Sequence, residues 1–233
     1  MFIPIHDGNP LTFVRFQYVT VALIIVNTLV FAIFQSPLFG AAPEPAALSY
    51  GLIPVVLNGA GALSPEFARI PSEVTLVTYS FLHGSWMHLI GNMAFLWVFG
   101  DNVEDAVGHL RYLVFYILCG IAAGAAQAFM LPGSDQPLVG ASGAVSGIIA
   151  AYLMLHPRVR VWVLFLGRIP LRISAAWALG LWAGLQVFNA FTSADDQIAW
   201  WAHIGGLAAG ALLIVFMRRR DVPLFDKGLT SSV

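Results

Sequence analysis

Charge is what this 233-residue sequence has least of. Asp, Glu, Lys and Arg together make up 10% of it, 12 acidic and 11 basic residues, where an ordinary soluble domain carries about 25%. So few ionic groups cannot cover a soluble globule of this size, which excludes a cytosolic enzyme and a disordered chain. A net charge of −1 without a basic patch excludes a nucleic-acid binder. Cysteine is nearly absent. The single Cys119 cannot form an internal disulfide, so the redox compartment is not legible, and a packing role is the plain reading of this residue. What the chain has in plenty is apolar surface, 59% hydrophobic residues with a mean hydropathy of +0.81. The composition points to one polytopic membrane domain.

Six stretches are long and uncharged enough to read as membrane helices: 16–35, 74–100, 112–134, 136–157, 173–194 and 197–217. A seventh, 45–65, carries Gly51, Pro54, Asn58, Gly59 and Gly61, whose freed backbone groups lipid cannot satisfy. It reads as a partly helical interfacial part of a long outer loop, 36–73. The N-terminal segment lacks the basic start and cleavage site of a signal peptide, so the first span is expected to stay. With six spans, Arg15, Arg111, Arg158, Arg160, Arg168, Arg172, Arg218, Arg219, Arg220 and Lys227 share one side and Arg69 faces the other, which makes the first side cytoplasmic. The opposite loops carry Glu44, Glu66, Asp135, Asp195 and Asp196. The loop 157–172 contains VWVLFLG, too short to span, and is expected along the inner interface. Asp101, Glu104, Asp105 and Arg111 read as a solvated inner turn. His6, His109 and His156 are expected to face water. Residues 218–233 read as a cytoplasmic tail, loose from 221 onward, whose arginines anchor it near anionic lipid.

Polar side chains at membrane depth are costly and usually functional. Five stand out: His83, His88, Asn92, Ser142 and His203. Topology puts those of the second, fourth and sixth spans at a similar level below the outer surface. Ser142 lies in VGASGAVSG, near a helix start, where backbone N–H groups without intrahelical partners favour a developing anion. That suits a serine nucleophile attacking a carbonyl. His203, Gly206 and Gly210 share one helix face, small enough to press against the Gly143–Gly147 face and bring the imidazole to the Ser142 hydroxyl. Neutral imidazole is the form a general base needs. His88 and Asn92, four residues apart, also share a face and could supply oxyanion donors. His83 falls off that face and is expected to orient the outer loop or bond backbone. No carboxylate lies deep in any expected span, so a Ser–His dyad replaces a triad, and packing or aromatic contact must orient His203.

The stretches HGSWMHLIGN, GASG and HIGGLAAG, in this order on the second, fourth and sixth spans, resemble the rhomboid family of intramembrane serine proteases. The resemblance covers nearly the whole chain. It implies an all-α bundle of six transmembrane helices that hydrolyses peptide bonds in transmembrane segments of substrate proteins. Carried over, Ser142 is the nucleophile, His203 the base, and Asn92 and His88, with the Ser142 N–H, bind the oxyanion. No metal or organic cofactor is implied. Two departures stand out. The aromatic residue that often follows the serine by one turn and stacks on the histidine is here Ser146, leaving Trp200, Trp201 or Tyr152 to orient the ring. The Trp-Arg pair that some members carry in the first loop is missing.

No His-Glu-x-x-His pattern supports a metalloprotease, and no pair of aspartates at depth supports an aspartyl protease. The remaining alternative is a rhomboid-like protein that binds membrane segments without cutting them. The expected location is the plasma (inner) membrane of a bacterium. The sequence does not set an oligomeric state.

Overall fold

The computed structural model describes residues 2–165, 167–193 and 198–226, and these form nine α-helices and one three-stranded sheet. The order is β1 (Phe2–Asp7), α1 (Tyr18–Phe34), α2 (Pro43–Tyr50), α3 (Pro54–Leu57), α4 (Thr75–Thr78), α5 (Trp86–Val107), α6 (His109–Met130), α7 (Ser142–Leu155), β2 (Arg160–Phe165), β3 (Ile169–Ser174), α8 (Ala175–Thr192) and α9 (Trp200–Met217). Among the described residues, α6 and α9 are the two helices long and apolar enough by themselves to cross a membrane.

The short helix α7 is the centre of the packing. It touches α5, α6, α8 and α9, and from Gly143 to Tyr152 every residue is buried. Small residues make this possible. A Cβ on Gly206 would overlap the Gly143 carbonyl oxygen, and one on Gly210 the Gly147 carbonyl oxygen. On these faces α7 and α9 therefore meet at backbone contact, as the spacing of the glycines predicts. A third glycine of α9, Gly205, faces α6 in the same way, where a Cβ would lie 2.9 Å from the Ala122 carbonyl oxygen.

The stretch 74–100 is not one helix. After α4 the chain makes a tight turn at Tyr79–Phe81 and runs irregularly to Ser85, which caps α5 by accepting a hydrogen bond from the His88 N–H at 3.1 Å. His83 is thereby placed outside any helix. At its other end α5 runs on through Glu104 and Asp105 to Val107. The expected solvated turn fails here, because both carboxylates are buried. Glu104 accepts from the N–H groups of Val19 and Thr20 and from the Thr20 hydroxyl, capping the start of α1. Asp105 accepts from the N–H groups of Thr12, Phe13 and Val14. Each carboxylate thus gathers several backbone N–H donors from the segment that leads into α1 and from its first turn.

The loop 157–172 also differs from expectation. It contains the β2–β3 hairpin, and β1 pairs antiparallel with β2, with Ile3 opposite Leu164 and Val161 opposite Ile173. Val161 and Val163 point into the core while Arg160 and Trp162 point out, the period of two expected for a sheet with one covered face. The tail is not loose over its described part. The N–H groups of Phe225 and Asp226 cap the last carbonyls of α7, at Met154 and Leu155. The Asp226 carboxylate accepts from the Arg158 N–H at 3.0 Å and lies 3.4 Å from His156 Nδ1. His109 stays 43% exposed, as expected, while its Nδ1 sits 2.5 Å from Glu104; His156, also expected in water, is only 16% exposed. The expected charges Asp195, Asp196 and Lys227 lie outside the described residues, as do Leu166 and the rest of 227–233.

Candidate active site

Ser142 is the first residue of α7. The segment before it is extended and pinned on both sides. Leu138 exchanges backbone hydrogen bonds with Leu52, and the Gly140 N–H donates to the Tyr79 carbonyl. The helix begins where the Val145 N–H reaches the Ala141 carbonyl at 2.9 Å, so the N–H groups of Ser142, Gly143 and Ala144 have no intrahelical acceptor. Ser142 is half-buried in a helix whose next ten residues are buried.

His203 lies one turn into α9 and is buried. Its Nε2 is 2.9 Å from Ser142 Oγ, and its Nδ1 is 2.8 Å from Oε1 of Gln186 on α8. Two indole rings flank the imidazole. Trp182 lies at 6.1 Å with a 35° tilt and Trp200 stands edge-on at 6.2 Å. Trp201 packs on Phe191 instead. Tyr152 is at the far end of α7, where its hydroxyl donates to Asp7 at 2.5 Å. Ser146 is fully buried, and its hydroxyl returns to the Ser142 carbonyl at 2.7 Å. Its small side chain allows the approach of α9, since a Cβ on Gly206 would lie 3.2 Å from the Ser146 Cβ.

His88 and Asn92 lie on one face of α5 and line the backbone just before Ser142. A Cβ on Gly140 would come within 2.7 Å of the His88 ring and 3.7 Å of Asn92 Nδ2. Asn92 is buried, and among the described residues its Nδ2 has no hydrogen-bond partner. His83 stands behind them, its ring edge-on to His88 at 5.1 Å. Its backbone N–H and carbonyl are both held by the Gln35 side chain at 2.9 Å, so the loop is pinned here through main-chain atoms.

The site thus brings together a hydroxyl, an imidazole, the open N-terminus of a buried helix and an unpartnered amide. Such a set can activate an alcohol and receive the negative charge that its attack on a carbonyl creates. Gln186 is the member that sequence reasoning missed. A signal existed, because it is a polar residue inside an uncharged helix, and it is buried between the exposed Leu185 and Val187.

Residues 71–220 match the profile of the Rhomboid domain. The chain is similar to Rhomboid-like protein 11, chloroplastic, of Arabidopsis thaliana, with 27% identity over 172 residues, 71% of this chain and 60% of that protein. It is 31% identical to Rhomboid-like protease 5 of Toxoplasma gondii over 183 residues, 74% of this chain and 19% of that protein. With Rhomboid protein 1, mitochondrial, of Saccharomyces cerevisiae it shares 26% identity over 153 residues, 61% of this chain and 41% of that protein. The chain therefore spans only part of each relative, from 19% to 60% of its length. The expected bacterial plasma membrane does not stand against these matches, two of which name the chloroplast and the mitochondrion. The physical reason is that an asymmetry of basic residues reports which side of a bilayer a loop faces and not which bilayer it is. The matched profile covers α5 to α9 and with them both halves of the Ser142–His203 pair, and on that match the chain belongs to the rhomboid family.

Proposed function

We propose that this chain is a membrane-embedded serine endopeptidase. It cuts transmembrane segments of substrate proteins with Ser142 as nucleophile and His203 as general base, and the observation that carries this reading is their 2.9 Å contact at the start of α7. In the proposed reaction the Ser142 oxygen attacks the scissile carbonyl and its proton passes to His203 Nε2. The oxyanion is received by the Ser142 N–H and by side-chain donors of Asn92 and His88. Collapse breaks the C–N bond, with the proton on Nε2 passing to the leaving amine. Water, deprotonated by the same nitrogen, then hydrolyses the acyl ester.

We further propose a single domain of six spans formed by α1, α5, α6, α7, α8 and α9. Large exposed apolar residues on the outer helices support it, among them Trp177 at 76%, Phe216 at 75% and Phe188 at 61% exposure, a surface that suits lipid better than water. The length of α7 supports a submerged site. Its 14 residues reach about 21 Å at 1.5 Å per residue, against a hydrocarbon core of about 30 Å. The missing length is irregular backbone at 136–141, tolerated at membrane depth where it is enclosed by protein or lines a water-filled cavity. Ser142 then lies below the surface on the side away from the sheet.

The test is labelling and cleavage with purified protein in liposomes. A fluorophosphonate probe should label wild type, and not Ser142→Ala or His203→Ala, and only wild type should cut a model transmembrane substrate. Undiminished cutting by Ser142→Ala would remove the dyad. A well-folded wild type that neither labels nor cuts would instead be a protein that binds membrane segments.

A further inference from the structure

The ring of His203 has two nitrogens, and the proposed reaction uses one. The other faces Gln186 Oε1 at 2.8 Å, on a side chain that is 7% exposed. We propose that Gln186 is a positioning residue of this protease: its amide oxygen holds the Nδ1–H of His203 and so fixes the tautomer and the plane of the base. This inference rests on the proposed hydrolytic function and adds a third member to its site.

An amide oxygen only accepts, so the 2.8 Å contact requires the proton on Nδ1. In a neutral imidazole the lone pair is then on Nε2, and at 2.9 Å the Ser142 hydroxyl is the donor. That is the one tautomer in which both contacts are hydrogen bonds and the base is ready to take the serine proton. When the proton arrives at Nε2, Nδ1–H keeps its bond to the amide oxygen, whose dipole then faces a cation. Gln186 itself neither gains nor loses a proton. In water-exposed hydrolases a carboxylate does this holding. At membrane depth a charged aspartate costs about 2.5–3.5 kcal/mol on insertion scales, and a neutral amide orients the ring without that charge.

The surroundings support the assignment independently. Trp182, one turn before Gln186 on α8, limits the ring on one side at 6.1 Å, and Trp200 limits it edge-on at 6.2 Å. From α7 no ring stacks on the imidazole, because the residue one turn after Ser142 is Ser146, whose hydroxyl turns back to the Ser142 carbonyl. The aromatic platforms leave rotation of the ring about its own plane undecided, since neither is a hydrogen-bond partner. Gln186 supplies that restraint.

The experiment compares Gln186→Met, of similar length without an acceptor, with Gln186→Glu, which restores one. For Gln186→Met we expect kcat to fall about 10- to 100-fold, the scale of a misplaced catalytic group, with KM within about twofold of wild type and an unchanged melting temperature. Fluorophosphonate labelling should slow in parallel, and Gln186→Glu should recover most of both. The ¹⁵N spectrum of histidine-labelled wild type should show His203, identified by its loss in His203→Ala, as the Nδ1–H tautomer, and Gln186→Met should mix the tautomers. Full activity of Gln186→Met, a Gln186→Glu variant no better than it, or an Nε2–H signal in wild type would each overturn the proposal. The spectrum also separates the two readings. If wild type fails to cut, the hydrolytic function falls, while the tautomer still decides whether Gln186 holds the ring.

Discussion

Gly140 adopts φ of +126°, a conformation that side chains rarely take, and any Cβ there would strike the His88 ring. The backbone two residues before the nucleophile is therefore bare on the side where His88 and Asn92 stand. Asn92 Nδ2 is buried without a partner among the described residues, a costly state for an amide unless the partner is a transient charge. From this we expect Asn92→Ala to lower kcat about 10²- to 10³-fold, the range for loss of one oxyanion donor, with KM nearly unchanged. A matched rise in KM at constant kcat, measured on one transmembrane substrate, would make Asn92 a substrate-packing residue instead. Ser142, His203, His88 and Asn92 were legible because each is a reactive or donor group in apolar surroundings, at a depth that topology could assign. Gln186 carried the same polarity but no chemistry of its own, and its meaning depends on the far nitrogen of a histidine on another helix.

Two helices in backbone contact hold the hydroxyl and the imidazole at bonding distance. Gly206 seats α9 on the Gly143 carbonyl within one turn of His203, so its substitution tests the element rather than the chemistry. Gly206→Ala must push α9 away from α7. The overpacking should cost about 1–3 kcal/mol of stability, and activity should fall at least tenfold as the Ser142–His203 contact opens. Gly184→Ala on α8, where a Cβ meets nothing within 4 Å, is the control. It should stay active and gain up to about 1 kcal/mol from helix propensity. Wild-type activity in Gly206→Ala would show that the site does not depend on this seam. The seam was readable from residue spacing of three and four. The break before α5 was not, because a hydropathy reading does not register a serine cap at Ser85 between two apolar stretches. The sheet was missed for a related reason. Alternation in VWVLF signals a strand and β3 is its local hairpin partner, but the third strand, β1, lies at the start of the sequence, and no local pattern announces that pairing.

At the scale of the whole molecule, the end opposite Ser142 is closed by segments that a span count treats as connectors. The strand β1, the hairpin and residues 221–226 meet around the last turn of α7, where Asp7 receives the Tyr152 hydroxyl and His156 lies against Asp226. These contacts make the far end responsive to pH. Burial holds the His156 imidazole below its usual value, against the opposing pull of Asp226. The folded state then binds fewer protons than the unfolded chain as pH falls through the ordinary histidine range, so stability present above about pH 6.5 is lost below it. The slope for one such group is at most about 1.4 kcal/mol per pH unit. Asp7 acts with the opposite sign. Burial raises its carboxyl above the usual range, so its contribution is full below the unfolded value and fades as pH rises through the folded one. Tryptophan-fluorescence melting in detergent between pH 8 and about 5.5, the range in which histidine titrates, should therefore show the wild type losing more melting temperature than His156→Gln. The substitution should leave the relative activity of the distant Ser142 unmoved. An equal change in wild type and variant would remove His156 from the account.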